Sequence, residues 1–473
     1  MSSANISFDT IPSSIRKPGV YVEFNTKLAV RNLPGNLQRT LIIGQKHAAG
    51  TLAALTLADV FSDVEAAQLC GYGSHVHRMV RAALMANPYA QLSIIPLDDA
   101  AGATAATFPV TVAGAPTTSG AFALAINDTL IQVNVAVTDT PTSVAAAFVA
   151  AIAAKPELPV TAANAAGVIT LTARNKGTVA NAFTVAASGA VAGMTFAVGA
   201  STAGAGDPDI TDALGVAFLG GHDQIVIPYR DTANLTALRN HLDDVGSWAE
   251  KRWALGFVGS NGTLAEAIAL SAGVNHGWMN NVWLRNTATT TMELAAAYAA
   301  TVASQEDPAM PFDYQQVRDI AVPPVADRTS RTEEESALYN GVTPLNVGPG
   351  EVVQVVRAVT TYVLNPAGVP DVSMLDITTP RTLKYVAKVF IQDRAIRYSR
   401  TKISDRLIQS VRDSGIVLLK QLEDLEIIEN VDANLPNYIV ERDLQDVSRL
   451  NERIPTDVVN GLHVLAERFD LLL

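Results

Sequence analysis

An alternation of strand and helix that breaks off near residue 100 and resumes near residue 207 is the feature that most constrains this chain. Thr40-Leu41-Ile42-Ile43-Gly44 is a short apolar run closed by glycine. His75 to Met85 places Val76, Val80 and Leu84 on one helical face, and Asn87-Pro88 stops it. Gln91-Leu92-Ser93-Ile94-Ile95-Pro96-Leu97 is a second apolar run. Runs of this length read as buried strands, and their alternation with helices predicts an α/β layer. After Gly206-Asp207-Pro208 the pattern returns. Strands at Asp223–Pro228, Trp253–Gly259 and Asn281–Arg285 are followed by helices at Asp231–Lys251, Thr263–Ala272 and Met292–Ser304. Three such units in succession imply parallel strands joined by right-handed crossovers. Both halves fit one sheet.

The interruption has its own composition. Between Ala101 and Gly206 only six residues are charged, namely Asp128, Asp139, Lys155, Glu157, Arg174 and Lys176. Phe122–Ile126 and Leu130–Val135 flank Asn127-Asp128-Thr129, which predicts a hairpin. Thr140-Pro141 opens a helix to about Ala154, with proline in the tolerated first turn, and Gly167–Thr172 is a further strand. The expectation is an inserted, mostly β domain.

The ends differ again. Polar residues lead to Lys17-Pro18-Gly19, after which Val20, Val22 and Phe24 alternate with Tyr21, Glu23 and Asn25. That is one short strand between loops, with no local partner for its backbone groups, so it needs a sheet edge elsewhere. Residues 305–350 are proline-rich, with one short helix at Glu333–Leu338, and Glu351–Tyr362 reads as a strand. Helices are expected at Thr379–Ser399, Ser404–Val411 and Ser414–Leu425, and strand-like segments at Tyr438–Val440 and Gly461–Leu473. Charge divides sharply here. Arg381 to Arg412 carries nine basic and two acidic residues, and Asp413 to Leu473 five basic and thirteen acidic. Such runs are ordinarily solvated helix faces. A sharper reading gives the basic run a docking role.

Composition narrows the function classes. A net charge of −12 weighs against general nucleic-acid binding. One cysteine, Cys70, permits neither an intrachain disulfide nor a cysteine metal cluster, and reads as a buried small residue. Met1–Thr10 lacks the basic start and apolar core of a leader, and no apolar run reaches membrane-spanning length, so folding in a cytoplasm is expected. No G-x-S-x-G, Walker A or H-E-x-x-H motif occurs. Gly71-Tyr72-Gly73 lacks a third glycine. His75 and His77 point to different sides of a helix, a poor metal pair. His222-Asp223 suggests half of a catalytic dyad but has no accompanying nucleophile motif. Catalytic residues, metal and cofactor are therefore all expected to be absent.

The lone strand after Arg16-Lys17-Pro18-Gly19-Val20-Tyr21, the interrupted α/β middle, and a terminal module opening at Thr379-Pro380-Arg381 with Tyr385 to Arg394 occur together. In this combination the chain resembles the contractile tail sheath proteins of Mu-like bacteriophages. The resemblance implies a subtilisin-like α/β core without protease activity, with arms that add strands to neighbouring subunits. The chain would divide into an N-terminal arm (1–36), a core (37–100 and 207–378), the insert (101–206), a C-terminal α+β domain (379–460) and a C-terminal arm (461–473). Val20, Tyr21, Val22, Glu23, Phe24, Leu462, Val464, Leu465 and Phe469 would exchange strands between subunits. Lys384, Lys388, Arg394, Arg397, Arg400 and Lys402 would face a tail tube. The partners implied are further copies in hexameric rings and a helical polymer, the tube, the baseplate and a tail terminator, without nucleic acid or membrane. The location implied is the virion, reached from the host cytoplasm. The sheath of a bacterial contractile injection system, or a subtilisin-fold hydrolase, are the alternatives.

Overall fold

The structure is a computed structural model that describes Arg16, Lys17, Gly19, Val22 and residues 35–472. The chain first lays down β1 (Arg39–Gln45), β2 (Ala58–Val60), α1 (Asp63–Cys70), α2 (His75–Ala86) and β3 (Gln91–Leu97). It then departs into β4 (Thr107–Gly114), β5 (Gly120–Ile126), β6 (Thr129–Val135), α3 (Pro141–Ala153), β7 (Val160–Ala165), β8 (Val168–Ala173), β9 (Val185–Ser188) and β10 (Met194–Val198). It returns through α4 (Thr211–Ala217), β11 (Gln224–Val226), α5 (Thr232–Val245), β12 (Leu255–Ser260), α6 (Leu264–Val274), β13 (Met279–Trp283), α7 (Thr291–Ala303), α8 (Arg331–Tyr339), β14 (Thr343–Gly348) and β15 (Val352–Val355).

The two halves do build one sheet. Its eight strands run β15-β14-β13-β12-β11-β1-β3-β2. Every neighbouring pair from β14 to β3 is parallel, with Ile42 of β1 opposite Val226 on one side and Ile94 on the other. Only the outermost strands, β2 and β15, run antiparallel. The strands are buried on both sides, as a parallel sheet under two helical layers requires. α2 and α7 pack together on one face, and α5 and α6 lie against the other. Gly259 shows how close the first layer comes, since a Cβ there would stand 2.2 Å from the Thr291 carbonyl oxygen. The helix starts are written locally. Thr263 with Glu266, Thr290 with Glu293 and Ser330 with Glu333 all close capping boxes, and Asp231 caps α5 as its sequence position suggests.

The insert forms two antiparallel sheets, β10-β4-β8-β7 and β6-β5-β9, with α3 against both. The Asn127-Asp128 turn joins β5 to β6 with Ile126 opposite Thr129. The insert is bolted to the core. Asn175 Nδ2 donates to the Lys46 carbonyl at 2.7 Å, and Gln45 Nε2 to the Lys176 carbonyl at 2.8 Å. Arg78 of α2, 1% exposed, pairs with Glu293 of α7 at 2.6 Å and lies 3.6 Å from Asp128 on the hairpin turn.

The last third departs most from expectation. The strand expected over Glu351–Tyr362 shrinks to β15, and its partner β14 falls in the proline-rich stretch that reads as irregular. Pro344 masks β14 in the sequence, yet it sits opposite Trp283 near the strand's start, one of the places a sheet tolerates proline. α9 (Thr378–Arg397) then runs out of the main core. Ile377 still belongs to that core, while Tyr385, Val386, Val389 and Phe390 belong to a second one. α10 (Asp405–Asp424), α11 (Val431–Asn434) and the hairpin β16 (Ile439–Arg442) and β17 (Leu450–Arg453) complete this module.

Two helices were expected where α10 is one. The expected interruption at Arg412-Asp413 does not occur, and Gly415 inside the helix is a site of close approach. A Cβ at that position would fall 1.7 Å from the Tyr438 hydroxyl. Gly415→Ala is therefore expected to push Tyr438 aside and cost the C-terminal module about 1–3 kcal/mol. The four tryptophans, Trp248, Trp253, Trp278 and Trp283, all precede that module. Protease cleavage within 398–455 should accelerate while tryptophan fluorescence of the core stays unchanged. A variant cleaved at the wild-type rate would show that the contact carries no weight.

Candidate assembly surfaces

The basic run divides once its partners are known. Lys384, with 15% of its side chain exposed, forms an ion pair with Asp223 at the start of β11. Burial pulls its ammonium below the ordinary range, against the opposing effect of Asp223. Lys388 Nζ donates to the Gly35 carbonyl at 2.9 Å. Arg394 is the hub of the second core. Its guanidinium donates to both oxygens of Glu452, at 2.6 and 3.1 Å, and to Asp393 and Ser414 at 2.7 and 3.0 Å. It also lies over the rings of Phe390 and Tyr398. Tyr438 donates to Glu452 at 2.5 Å, and burial together with that carboxylate holds its hydroxyl well above the usual range. Lys384, Lys388 and Arg394 are thus engaged inside their own chain. Arg397 pairs with Asp393 one turn back. Arg400 and Lys402, in the turn between α9 and α10, are exposed, as is Arg406 at the start of α10.

The His222–Asp223 dyad does not form. Asp223 accepts from the Arg39 backbone N–H at 2.9 Å and from Lys384, and both ring nitrogens of His222 are buried without a hydrogen bond. Ligands of α/β sheets sit where strand order reverses, outside the carboxyl ends of the strands. Here the order reverses between β1 and β11, whereas a cavity of about 480 Å³ lies one strand along, beyond β11 and β12, lined among others by Asn181 of the insert and by Arg230, Asp231, Asn261 and Glu266. Among the described residues no three of His, Cys, Asp and Glu stand together as metal ligands. None of the described helices is long and apolar enough to cross a membrane. Burial raises the Cys70 thiol to about 12, which suits a packed side chain.

The remaining surfaces are incomplete secondary structure. β16 and β17 pair only with one another, Ile439 opposite Arg453 and Arg442 opposite Leu450, so two main-chain edges stay open. After Gly461 the described residues form no strand. Leu462, Val464, Leu465 and Phe469 are 72–91% exposed, and Leu471 and Leu472 equally so. His463 is the exception. Its Nδ1 lies 2.6 Å from Asp313, and its Nε2 3.6 Å from Asp376. Of the N-terminal residues expected to exchange strands, Val20, Tyr21, Glu23 and Phe24 lie outside the described residues, and Val22 is 70% exposed.

The described residues thus form a folded α/β body with an exposed apolar C-terminal segment and a separate two-stranded hairpin. Residues 203–361 match the phage tail sheath protein central domain and residues 369–471 the phage tail sheath C-terminal domain, together more than half of the chain. The chain is 29% identical over 490 residues to the Mu-like prophage FluMu tail sheath protein of Haemophilus influenzae, covering 99% of this chain and 100% of that one. The fold is similar to the sheath tail protein of Listeria innocua (TM-score 0.51, 14% identity, 92% of this chain and 94% of that one). It is also similar to the anti-feeding prophage helical sheath in its contracted state (TM-score 0.50, 11% identity, 96% and 98%). The chain belongs to the phage tail sheath family, and is a structural subunit of a contractile tail sheath.

Proposed function

We propose that this subunit polymerises as stacked hexameric rings in a helical sleeve around a rigid tail tube, and that neighbours are joined by strands lent from both chain ends. The observation that carries the reading is that one chain holds both a strand donor and a strand acceptor. Residues 462–472 offer backbone and apolar side chains with no sheet of their own, and the β16–β17 hairpin offers two unpaired edges. Strand addition to such an edge gains main-chain hydrogen bonds and sets register through alternate side chains. Burying each of Leu462, Val464 and Leu465 adds about 1.5–3 kcal/mol. Such a contact between different surfaces closes into a ring when its rotation allows and otherwise propagates as a helix.

The subtilisin-like core then acts as a rigid body and supplies no chemistry. Its domains rotate while the lent strands stay paired. Contraction runs downhill as new contacts form between globular domains, without a nucleotide, and drives the tube through the host envelope. The baseplate would trigger this, a terminator would cap the sleeve, and assembly would occur in the host cytoplasm. On this reading purified protein forms long striated tubes under the electron microscope. A chain lacking residues 1–34 stays folded and monomeric, and tubes of normal length from that truncation would refute the exchange.

The tube-facing surface narrows to the turn after α9. Arg400, Lys402 and Arg406 are the exposed cations there, and contacts of this kind break readily because salt screens them. Reversing all three to glutamate should weaken co-sedimentation with tubes by about tenfold or more at low salt and leave tube-free polymer intact. Lys384→Glu should instead disturb the join between α9 and β11 and lower the yield of folded protein. Unchanged tube binding by the triple variant would place the tube on another face.

A further inference from the structure

His463 interrupts an otherwise exposed arm. Leu462 and Val464 on either side of it are 74% and 78% exposed, while its own side chain is 16% exposed. An extended chain shows that alternation when one face lies on a support and the other faces water. The support is a charged cluster on the main core. Asp313 follows Phe312 and Asp376 precedes Ile377, and both of those neighbours belong to that core. The imidazole stands 2.6 Å from Asp313 through Nδ1 and 3.6 Å from Asp376 through Nε2. Arg357 already donates two hydrogen bonds of 2.8 Å to Asp376. Among the described residues, the imidazole is the one hydrogen-bond partner of the Asp313 carboxylate, whose Oδ1 is buried without any. Two carboxylates thus face one guanidinium. A protonated imidazole balances the count, in a place where an unpaired charge is costly.

The next tie upstream belongs to the other module. The Glu429 N–H donates to the Asp457 carbonyl at 2.9 Å and the Val459 N–H to the Ile427 carbonyl at 3.4 Å, and Ile427 and Ile428 lie in the second core. Between Val459 and His463 the chain therefore passes from one core to the other. The passage is close, since a Cβ at Gly461 would stand 2.9 Å from Pro311. From His463 onward, the nine residues Val464–Leu472 reach about 30 Å when extended. Without that anchor the free segment would begin at Asn460, and thirteen residues would reach about 45 Å.

We propose that His463 is a pin that stays on its own subunit, held by Asp313 and Asp376, while the rest of the C-terminal arm is lent to a neighbour. The pin fixes the face that Leu462 and Val464 turn toward the partner, and it limits how far away an acceptor hairpin can lie. A slip by one residue would turn every side chain of the lent strand to the wrong face. The role rests on the strand-exchange reading above, but the pin itself is measured on the monomer, so each can fail alone.

The test begins with freshly purified, unassembled full-length chain. Carboxypeptidase digestion followed by mass spectrometry should give a product ending close to His463, because the residues beyond it are exposed and the imidazole is not. In the His463→Gln variant digestion should run on toward Asn460, removing residues 460–463 about tenfold faster or more. Asp313→Asn should speed their release in the same direction, and His463→Lys, which restores a cation, should return the wild-type product. Tryptophan fluorescence unchanged from wild type reports a folded core. Tubes assembled from the His463→Gln chain should show an irregular axial repeat under the electron microscope. A wild-type digestion product from folded His463→Gln chain would overturn the pin, as would a His463→Lys chain trimmed as far as the glutamine variant. Regular tubes from a His463→Gln chain whose arm is released would overturn its control of register. Normal tubes from a chain ending at His463 would instead sink strand exchange by this arm and leave the digestion result standing.

Discussion

Arg78→Ala is expected to destabilise the core by about 3–5 kcal/mol, the usual consequence of leaving a buried charge without its partner. Glu293 is fully enclosed. Burial raises its pKa, and the Arg78 guanidinium is the main influence opposing that shift. The same carboxylate closes the capping box of α7 through Thr290 at 2.5 Å, so an uncompensated Glu293 weakens a helix start as well as a core contact. Against a total stability of about 5–15 kcal/mol, that loss is a large share. Arg78 also donates to the Glu157 carbonyl at 3.3 Å and approaches Asp128, so hydrogen exchange should rise at both places where the insert meets the core. Arg78→Met with Glu293→Gln removes both charges and keeps a side chain able to cap. It should recover most of the loss, since an apolar replacement of a buried pair is often tolerated. Urea unfolding of the two single variants and the double variant measures this directly. Additive losses would mean the pair is not coupled.

The second large effect is acid sensitivity. Four histidines are buried neutral. Burial pushes His75 down to about 3, and His77, His222 and His241 down to about 4. Nearby cations add to the effect, Arg78 and Arg81 at His77, Arg39 at His222 and Arg252 at His241. Each folded value lies below the unfolded one, near 6.5, so the unfolded chain binds more protons as pH falls. Stability is full above about pH 6.5 and drops between there and about pH 4, by up to roughly 1.4 kcal/mol per pH unit for each histidine. Carboxylates such as half-buried Asp443, held at about 2 first by its hydrogen bond from Asn451, act only at lower pH. His222→Leu should flatten the dependence by about one proton, because neither ring nitrogen has a partner to lose. Urea midpoints at pH 7.5, 6 and 5 decide the matter. Equal midpoints would mean that these imidazoles reach water in the native state.

Several elements were legible in the sequence because their causes are local. The apolar run at Thr40–Gly44, the caps at Asp231 and Thr263 and the turn at Asn127-Asp128 each act within one or two turns of chain. β14 and α10 were misread for the complementary reason. Pro344 is a breaker by local rule, and only its place opposite Trp283 across the ladder makes it fit; the gap expected at Arg412-Asp413 closes because Val411, Ser414, Leu418 and Leu422 bury one continuous face.

The sequence by itself determined the interrupted α/β pattern, the charge-poor insert and an apolar C-terminal segment, since periodicity and composition are properties of neighbouring residues. Tertiary structure alone decided which charges are free to meet another molecule. Lys384 meets Asp223 across 161 positions, Arg394 meets Glu452 across 58 and His463 meets Asp313 across 150. A count of charges along the chain registers none of these pairs, because an ion pair depends on a few ångströms of space and not on distance along the backbone.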